Sequence, residues 1–364
     1  MTVYNGADIE ITGTVVGGGR ITVAAGSTAT ITLNNVNTSG LNGLGTCPLA
    51  LNGGGSNVTL NLQGNNTLDA TAQGTYAGGY GGICLLNDNN TLTINGLGAL
   101  TAKGGAGGAG IGSNGNRPGD VILINSGTIT AIGSGGGAGI GGGWNSYAGS
   151  VTITGTANVT AVGSNSGAGI GAGANAVFMG SITINGNATV KATGANGGTV
   201  TDPASALYGL AIGGGAGIGS GGSYGNSSTG VGTITISPTA TVTAQGGNGS
   251  LALSTGPTPD MYSGSGAGIG GGGGNSASPL ANQTAVALPA ALLALKGTAN
   301  LKANAGTPTG AVGQGEDLGM GGVATKWVPL ATTAAAVPTL NEWALMLLAL
   351  AMLGMAGLHA RRRG

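Results

Sequence analysis

The segment Ala-Gly-Ile-Gly occurs five times in this chain, starting at Ala109, Ala138, Ala168, Ala216 and Ala267. The first two intervals are 29 and 30 residues, and the next two, 48 and 51, are the same unit enlarged by insertions. Self-similarity at such a period marks a repeat architecture, whose units pack on their neighbours instead of folding alone. Two short alternating segments precede the motif in each unit. One unit reads Val151-Thr152-Ile153-Thr154-Gly155, then Val159-Thr160-Ala161-Val162-Gly163, then Ala168-Gly169-Ile170-Gly171. Others carry Leu92-Thr93-Ile94 with Leu100-Thr101-Ala102, Ile122-Leu123-Ile124 with Ile129-Thr130-Ala131, Ile182-Thr183-Ile184 with Val190-Lys191-Ala192, and Ile234-Thr235-Ile236 with Val242-Thr243-Ala244. Alternation of period two over such short runs specifies strands with one apolar side.

Three segments per unit, broken by Gly and Asn, predict one coil of a parallel β-helix with three faces. Inward Ile, Val and Leu stack on their equivalents about 4.8 Å away in the next coil. Ala and Gly in the third segment let that wall sit close to the core. Worn copies extend the array: Ile21 to Val36, Leu60-Asn61-Leu62 with Leu68-Asp69-Ala70, and Leu293-Ala294-Leu295 with Leu301-Lys302-Ala303. The expected fold is an all-β, right-handed parallel β-helix of roughly eight coils, about 40 Å along its axis at that strand spacing. Met1 to Gly19 is expected to cap one end. The inserts Gly194 to Gly213 and Gly246 to Gly264 fall between second and third strands and are expected to bulge from the same side. A propeller blade or antiparallel sandwich fits less well, since a blade needs four strands and each unit has two clear ones plus the glycine motif.

Glycine supplies 83 of 364 residues, a content that suggests disorder when hydrophobicity is low and charge high. Here 40% of residues are hydrophobic and only 5% charged, and no Gly-X-Y period exists to make collagen. Up to Val337 the chain has seven Lys and Arg against nine Asp and Glu, a net charge of −2, so no basic patch faces nucleic acid. Dinucleotide-binding glycine loops need a following helix and an acidic residue about 20 positions on. The Ala-Gly-Ile-Gly motif has neither, and its recurrence at structural spacing assigns it to tight backbone packing.

The single histidine, His359, lies near the C-terminus, which removes Ser-His-Asp and Cys-His catalysis and histidine metal sites from the body. No catalytic residues, metal or cofactor are therefore expected. Asp88 and Asp120 fall near matching places in consecutive coils, where they read as solvated turn aspartates; a Ca2+ site helped by Asn87, Asn89 and Asn90 is the alternative. Cys47 and Cys84 look like one position in neighbouring coils. Stacking would bring their α-carbons near 4.8 Å, inside the roughly 4.4–6.8 Å disulfide window. An exported chain would oxidise them. Trp144, Tyr147, Phe178 and Tyr224 all follow the Ile of a glycine motif within eight residues, which predicts a row of rings along one edge. Such a row suits a linear carbohydrate; the plainer reading is that the rings cover turn backbone. Outward Thr93, Thr152, Thr183 and Thr235 form a ladder of the kind that binds ice, but Val121 and Leu123 interrupt it and Thr favours exposed strands anyway.

The last residues differ from the rest. Val337-Pro338-Thr339-Leu340-Asn341-Glu342-Trp343 leads into an apolar stretch, Ala344 to Leu358, and the chain closes on Arg361-Arg362-Arg363. Trp343 to Leu358 is 16 residues, roughly 24 Å as a helix. The three arginines would stay cytoplasmic under the positive-inside rule, and Trp343 suits the interface. This order resembles the IPTL-CTERM sorting domain of Gram-negative bacteria, with Val337 in place of the family's leading isoleucine and Ala344 where glycine is common. The resemblance implies a surface protein whose tail is recognised, and cut, by a membrane transpeptidase of the exosortase type. The body resembles glycine-rich bacterial surface β-helices, including carbohydrate-binding ones. Met1 to Asp8 has neither the basic start nor the apolar core of an export signal, so the start is expected to be mis-assigned, with a leader ahead of Met1.

The resulting division is a repeat domain at 1–320, a linker at 321–336 and a sorting and transmembrane segment at 337–364. The expected role is that of a non-enzymatic adhesin or extracellular-matrix component, exported to the cell surface after transient anchoring in the inner membrane. A polysaccharide-binding module using the aromatic edge is the alternative. A polysaccharide lyase or hydrolase comes last, because the basic residues that uronate chemistry requires are scattered.

Overall fold

The computed structural model describes residues 1–41, 46–71, 79–113, 120–147, 149–176, 180–199, 212–223, 232–252, 261–263, 265–273, 275–276, 293–295, 300–304 and 322–323. The chain divides into two compact units, Met1–Trp327 and Val328–Gly364, and every described residue belongs to the first. The apolar stretch of the tail, expected to be helical, lies outside the described residues.

The body is an all-β parallel solenoid. Five regular turns place Thr91–Gly96, Val121–Ile124, Ser150–Ile153, Ser181–Ile184 and Thr233–Ile236 side by side on a first face. Ala99–Lys103, Thr128–Ile132, Asn158–Val162, Thr189–Thr193 and Thr241–Gln245 form the second face. The Ala-Gly-Ile-Gly segments form a glycine wall, in which Ile111, Ile140, Ile170, Ile218 and Ile269 lie in register. Further strands extend all three ladders. Leu293–Leu295 and Asn300–Asn304, the strands expected last, pair in parallel with Thr233–Ile236 and Thr241–Gln245.

Alternation sorts each strand into an inner and an outer set. Ile94, Ile124, Ile153, Ile184 and Ile236 make one fully buried column, and Leu100, Ile129, Val159, Val190 and Val242 make another. Burying one such side chain stabilises the fold by about 1.5–3 kcal/mol. The column Ala102, Ala131, Ala161, Ala192 and Ala244 is equally buried but short. Small side chains there let the glycine wall approach the end of the second face backbone to backbone. A Cβ on Gly110 or Gly139 would lie 2.5 Å from the amide nitrogen of Ile132 or Val162. The glycine after each Ile is constrained differently: Gly171 has φ 134 and Gly219 φ 136, and a Cβ on either would overlap the carbonyl oxygen of the next coil's glycine. Only glycine meets both demands.

The N-terminal end departs from the expectation of a separate cap. Thr2–Val3 pairs with Ile21–Ala24, and Asp8–Val16 pairs along Thr28–Ser39, so Met1 to Val16 supplies a rung of the solenoid itself. The alternating Ile9 and Ile11 give that rung its inward side, where both pack partly buried against the core. Thr28–Ser39 runs unbroken across both faces: its first half pairs with Asn57–Gln63 and its second with Asn65–Asp69. The pairing shifts at Thr12 and Gly13, leaving Asn35 as the extra residue of a bulge with φ 56. The first and second faces are therefore one continuous sheet rather than two.

Both insertions leave the body between the second face and the glycine wall, and their bases stack. Gly197 donates to the Asn248 carbonyl, and the Ser250 hydroxyl to those of Gly198 and Ile212. The second insertion adds antiparallel pairing to an otherwise parallel body: Leu251–Ala252, Met261–Ser263 and Asn275–Ser276 form a small antiparallel sheet. A short excursion that must return to its own coil folds back on itself, which parallel strands cannot do without a long crossover. Gly322–Val323 also pairs antiparallel, against Ile269–Gly270.

The usual small gain from replacing glycine by alanine reverses in the wall. Gly139→Ala is expected to lower the unfolding free energy by about 2 kcal/mol or more, since rigid backbone must move. Thr152→Ala, on the outer side of the first face, should change it by no more than about 0.5 kcal/mol. Urea denaturation of the two variants measures the contrast.

Candidate functional site

Cys47 and Cys84 are joined in a disulfide with their α-carbons 6.1 Å apart. The expected pairing is present, but the two are not equivalent positions. Cys84 stands opposite Ala50 in one neighbouring strand and Gly112 in the other, and Cys47 precedes the strand Leu49–Asn52. The α-carbon distance therefore exceeds one rung. Ile83 and Leu85 point into the main core, while Cys84 points to the other side of the same strand. There the disulfide packs with Ala50 under Tyr80 and Leu86. The Gly81 amide donates to the Cys84 sulfur at 3.0 Å.

Of the four aromatic residues expected along one edge, Phe178 and Tyr224 lie outside the described residues. Trp144 is 39% exposed, and Tyr147 packs partly buried against the core. Trp144 donates its amide to the Gly107 carbonyl, and its side chain lies over Gly107 and Gly136. Backbone bonds from Asn145 to Ala174 and from Asn175 to Gly222 set the register of this turn. They place Ala174 in register with Trp144. Asn145 and Asn175, with φ 56 and 58, stack through a 3.3 Å amide hydrogen bond at this corner.

The acidic residues are tied into the fold. Asp120 aligns with Asn90, not with Asp88, because Val121 pairs with Thr91. The Asp120 carboxylate accepts from the Asn90 amide at 2.9 Å, and the Asn90 side-chain oxygen accepts from the Ser56 amide at 3.2 Å. Ser27, Ser56, Asn90 and Asp120 thus form a buried polar column at the entrance to the first face. Asp88 sits in a turn between Asn87 and Asn89, both at positive φ, and its carbonyl accepts from Gly55. Asp88 is exposed, as a turn aspartate is expected to be, whereas Asp120 is buried. On the second face Asp69 and Lys103 pair across one rung at 3.0 Å. Burial pushes the Asp69 pKa up, but bonds from the Thr71 hydroxyl and amide and from Lys103 outweigh it and hold the carboxyl below its usual value. Among the described residues no three His, Cys, Asp or Glu side chains converge as a metal site needs, and no helix is long and apolar enough to cross a membrane.

A cleft of about 750 Å³ opens at the bend between the two faces. It follows the turns Gln63-Gly64-Asn65 and Gly96-Leu97-Gly98. Thr32 and Asn61, in register on the first face, line one side, and Asn65 and Ala99, in register on the second, line the other. Sequence reasoning missed this cleft. Its signal was a density of Asn and Gln around residues 34–37 and 57–66, and one leucine set between two glycines outside any alternating run.

Fold and staple together define a disulfide-bonded parallel β-solenoid. Residues 335–363 match the IPTL-CTERM motif, which contains the expected sorting residues Val337, Pro338, Thr339, Leu340, Trp343, Arg361, Arg362 and Arg363. These residues lie outside the described structure. No curated protein and no solved structure matches the chain. The motif and the disulfide together point to an exported, cell-surface protein with a C-terminal processing and sorting signal.

Removing the disulfide, in a Cys47→Ala/Cys84→Ala variant, is expected to lower the unfolding free energy by about 2–4 kcal/mol. Urea unfolding without reductant measures the difference. Because the folded state depresses the Asp69 pKa, its contribution to stability is present above the ordinary carboxylate value of about 3.9 and is lost as the pH falls below it. Asp69→Asn should therefore be less stable than the native chain near neutrality, with the gap closing on acidification, as thermal melts across pH 2 to 7 would record.

Proposed function

We propose that the protein is displayed on the surface of a Gram-negative bacterium as a non-enzymatic repeat protein, an adhesin or extracellular-matrix component. The observation that carries this reading is the IPTL-CTERM motif at residues 335–363. In it, residues 1–320 form a right-handed body of roughly eight coils at the usual strand spacing. Residues 321–336 are a linker. Residues 337–364 are a transmembrane helix that anchors the chain transiently in the inner membrane, with the three arginines inside, until an exosortase-like enzyme removes it.

A non-enzymatic role is supported by the structural employment of Asp69 and Asp120, each bonded within the fold. The scattered Arg20, Lys103 and Lys191 offer no cluster for uronate chemistry, which leaves lyase or hydrolase activity the weakest reading. A polysaccharide-binding role through the aromatic edge draws support from the exposure of Trp144. It needs Phe178 and Tyr224 to extend the row from neighbouring coils.

The test is cell fractionation of the native host expressing the chain with an epitope in the second insertion, beside a variant lacking residues 335–363. The expected result is a surface fraction that has lost its tail, with the deletion variant retained in the periplasm or released. Equal surface display of both chains, or an intact tail on the surface form, would overturn the proposal.

A further inference from the structure

Several polar side chains near the bend are used by the fold. Asn34 donates to Glu10, and Asn35 to Asn34. Asn66 is buried and bonded at both ends of its amide, accepting from Val36 and donating to Gln63 and Ala99. Asn125 bonds Asn95 at 2.9 Å. Those that line the cleft at the bend are not. Thr32, Asn61, Gln63 and Asn65 line it, and among the described residues none of their side-chain polar groups makes a hydrogen bond within the protein. The Asn65 backbone amide does have a partner, the Asn35 side chain at 3.0 Å, so the turn is held while its side chain is left over.

Beside these amides stands Leu97, 96% exposed and the most exposed large hydrophobic residue among those described. Its position follows from the glycines around it. Gly96, at φ 103, would overlap the Leu62 carbonyl if it carried a Cβ, and Gly98 would come within 2.8 Å of the Gln63 backbone. With both neighbours pressed onto the preceding coil, the residue between them is turned outward. The cleft therefore combines solvent-facing amides with no partner in the protein, which both donate and accept, with an aliphatic surface and no charged side chain in its lining.

We propose that this cleft binds an uncharged glycan chain. Sugar hydroxyls both donate and accept, as carboxamides do, and the C–H face of a pyranose packs on an aliphatic side chain. Absence of charge in the lining selects against uronates and phosphates, which would lose their solvation with no cation to replace it. Register aligns the partners: Thr32 and Asn61 stand on successive rungs of the first face. That spacing of about 4.8 Å offers a polymer running along the solenoid axis a polar partner at each of the two. A volume of about 750 Å³ suits a few sugar units, within the roughly 300–1,000 Å³ of ordinary ligand sites. The inference extends the surface role proposed above by naming a ligand class and a site, and the binding itself does not depend on export.

Affinity electrophoresis of the purified, disulfide-intact full chain through gels containing amylose, dextran or galactomannan tests it, with polygalacturonate as the charged control. The native chain should be retarded by at least one neutral polymer and not selectively by polygalacturonate. Asn61→Ala/Asn65→Ala should weaken that retardation by about tenfold, the loss of two hydrogen bonds, and Leu97→Asp should weaken it further. Both variants should keep the native circular dichroism and urea midpoint, because neither side chain is used by the fold. Trp144→Ala should bind as the native chain does. No retardation by any neutral polymer, retardation unchanged in the double variant, or loss confined to Trp144→Ala would each overturn the proposal. None of these results depends on where the cell places the protein.

Discussion

The close approach of the glycine wall to neighbouring backbone is the constraint on which the rest of the body depends. Two clashes of different direction set it. Gly110 and Gly139, before the Ile, face the end of the second face, meeting the carbonyls of Ala102 and Ala131 in their own coil and the amides of Ile132 and Val162 in the next. Gly171 and Gly219, after the Ile, face carbonyls of the following coil. The first clash fixes how flat each coil is, the second how tightly coils stack. A coil this thin holds few large side chains, so its cohesion comes from ladders of backbone hydrogen bonds and columns of identical aliphatic residues. The alanine column from Ala102 to Ala244 is the complementary half of the arrangement: where the wall comes close, the opposing side chain is a methyl group. Glycine abundance, which in a polar chain would signal disorder, is here a consequence of close packing.

A thin solenoid has many corners, and each corner leaves backbone groups that the ladders do not reach. Amide side chains meet that need with almost no charge. Asn35, Asn87, Asn89, Asn145 and Asn175 take left-handed conformations that most side chains avoid. Asn66 occupies a core position, where its neighbour in register is Leu100, yet three hydrogen bonds satisfy it. It serves the Val36 amide beside the bulge, a group no strand partner could serve. A carboxylate or lysine placed there would have to be desolvated, whereas an amide loses little. The low charge content of the chain and its wealth of asparagine are thus two sides of one solution.

The columns and their register were legible because alternation and the repeat period are both local and redundant. Thr152 opposite Thr183, and Ile153 opposite Ile184, follow from aligning the units. What failed to follow was geometry set at corners, where unit lengths differ by a residue and alignment from one end disagrees with alignment from the other. Aligned by unit, Asp120 and Asp88 fall near matching places and read as solvated turn residues, while the strand register sets Asp120 opposite Asn90 and buries it. The disulfide was recognised from two cysteines one coil apart, although its equivalence argument was wrong: a bridge tolerates a range of α-carbon distances, so an error of three residues still left the pair in reach. The cleft was invisible for a further reason. Its lining comes from two faces and three coils, and nothing in the linear order says that the side chains of Asn61 and Asn65 stay unused when those of Asn34 and Asn66 do not.

The placement of the staple follows from a change in cross-section along the solenoid. In the N-terminal coils the wall carries bulky residues, Ile21 and Val23, then Leu49 and Leu51, then Ile83 and Leu85, all buried. From Ile111 onward the same positions read Ile followed by glycine or serine, and the coil narrows. The strand Ile83–Leu86 is the last of the wide kind and pairs directly with the first of the narrow kind. At such a seam the columns are no longer identical, so the gain from stacking like on like is weakest there. The stability of a solenoid is a sum of repeat and nearest-neighbour terms, and one weak neighbour term is where an array parts. Cys84 lies in that seam strand, and its bond to Cys47 ties it back to the preceding coil on the side away from the core. The covalent link thus lies on the wide side of the seam, where it fixes the last wide strand to the coil before it and so holds in place the edge on which the narrow coils stack.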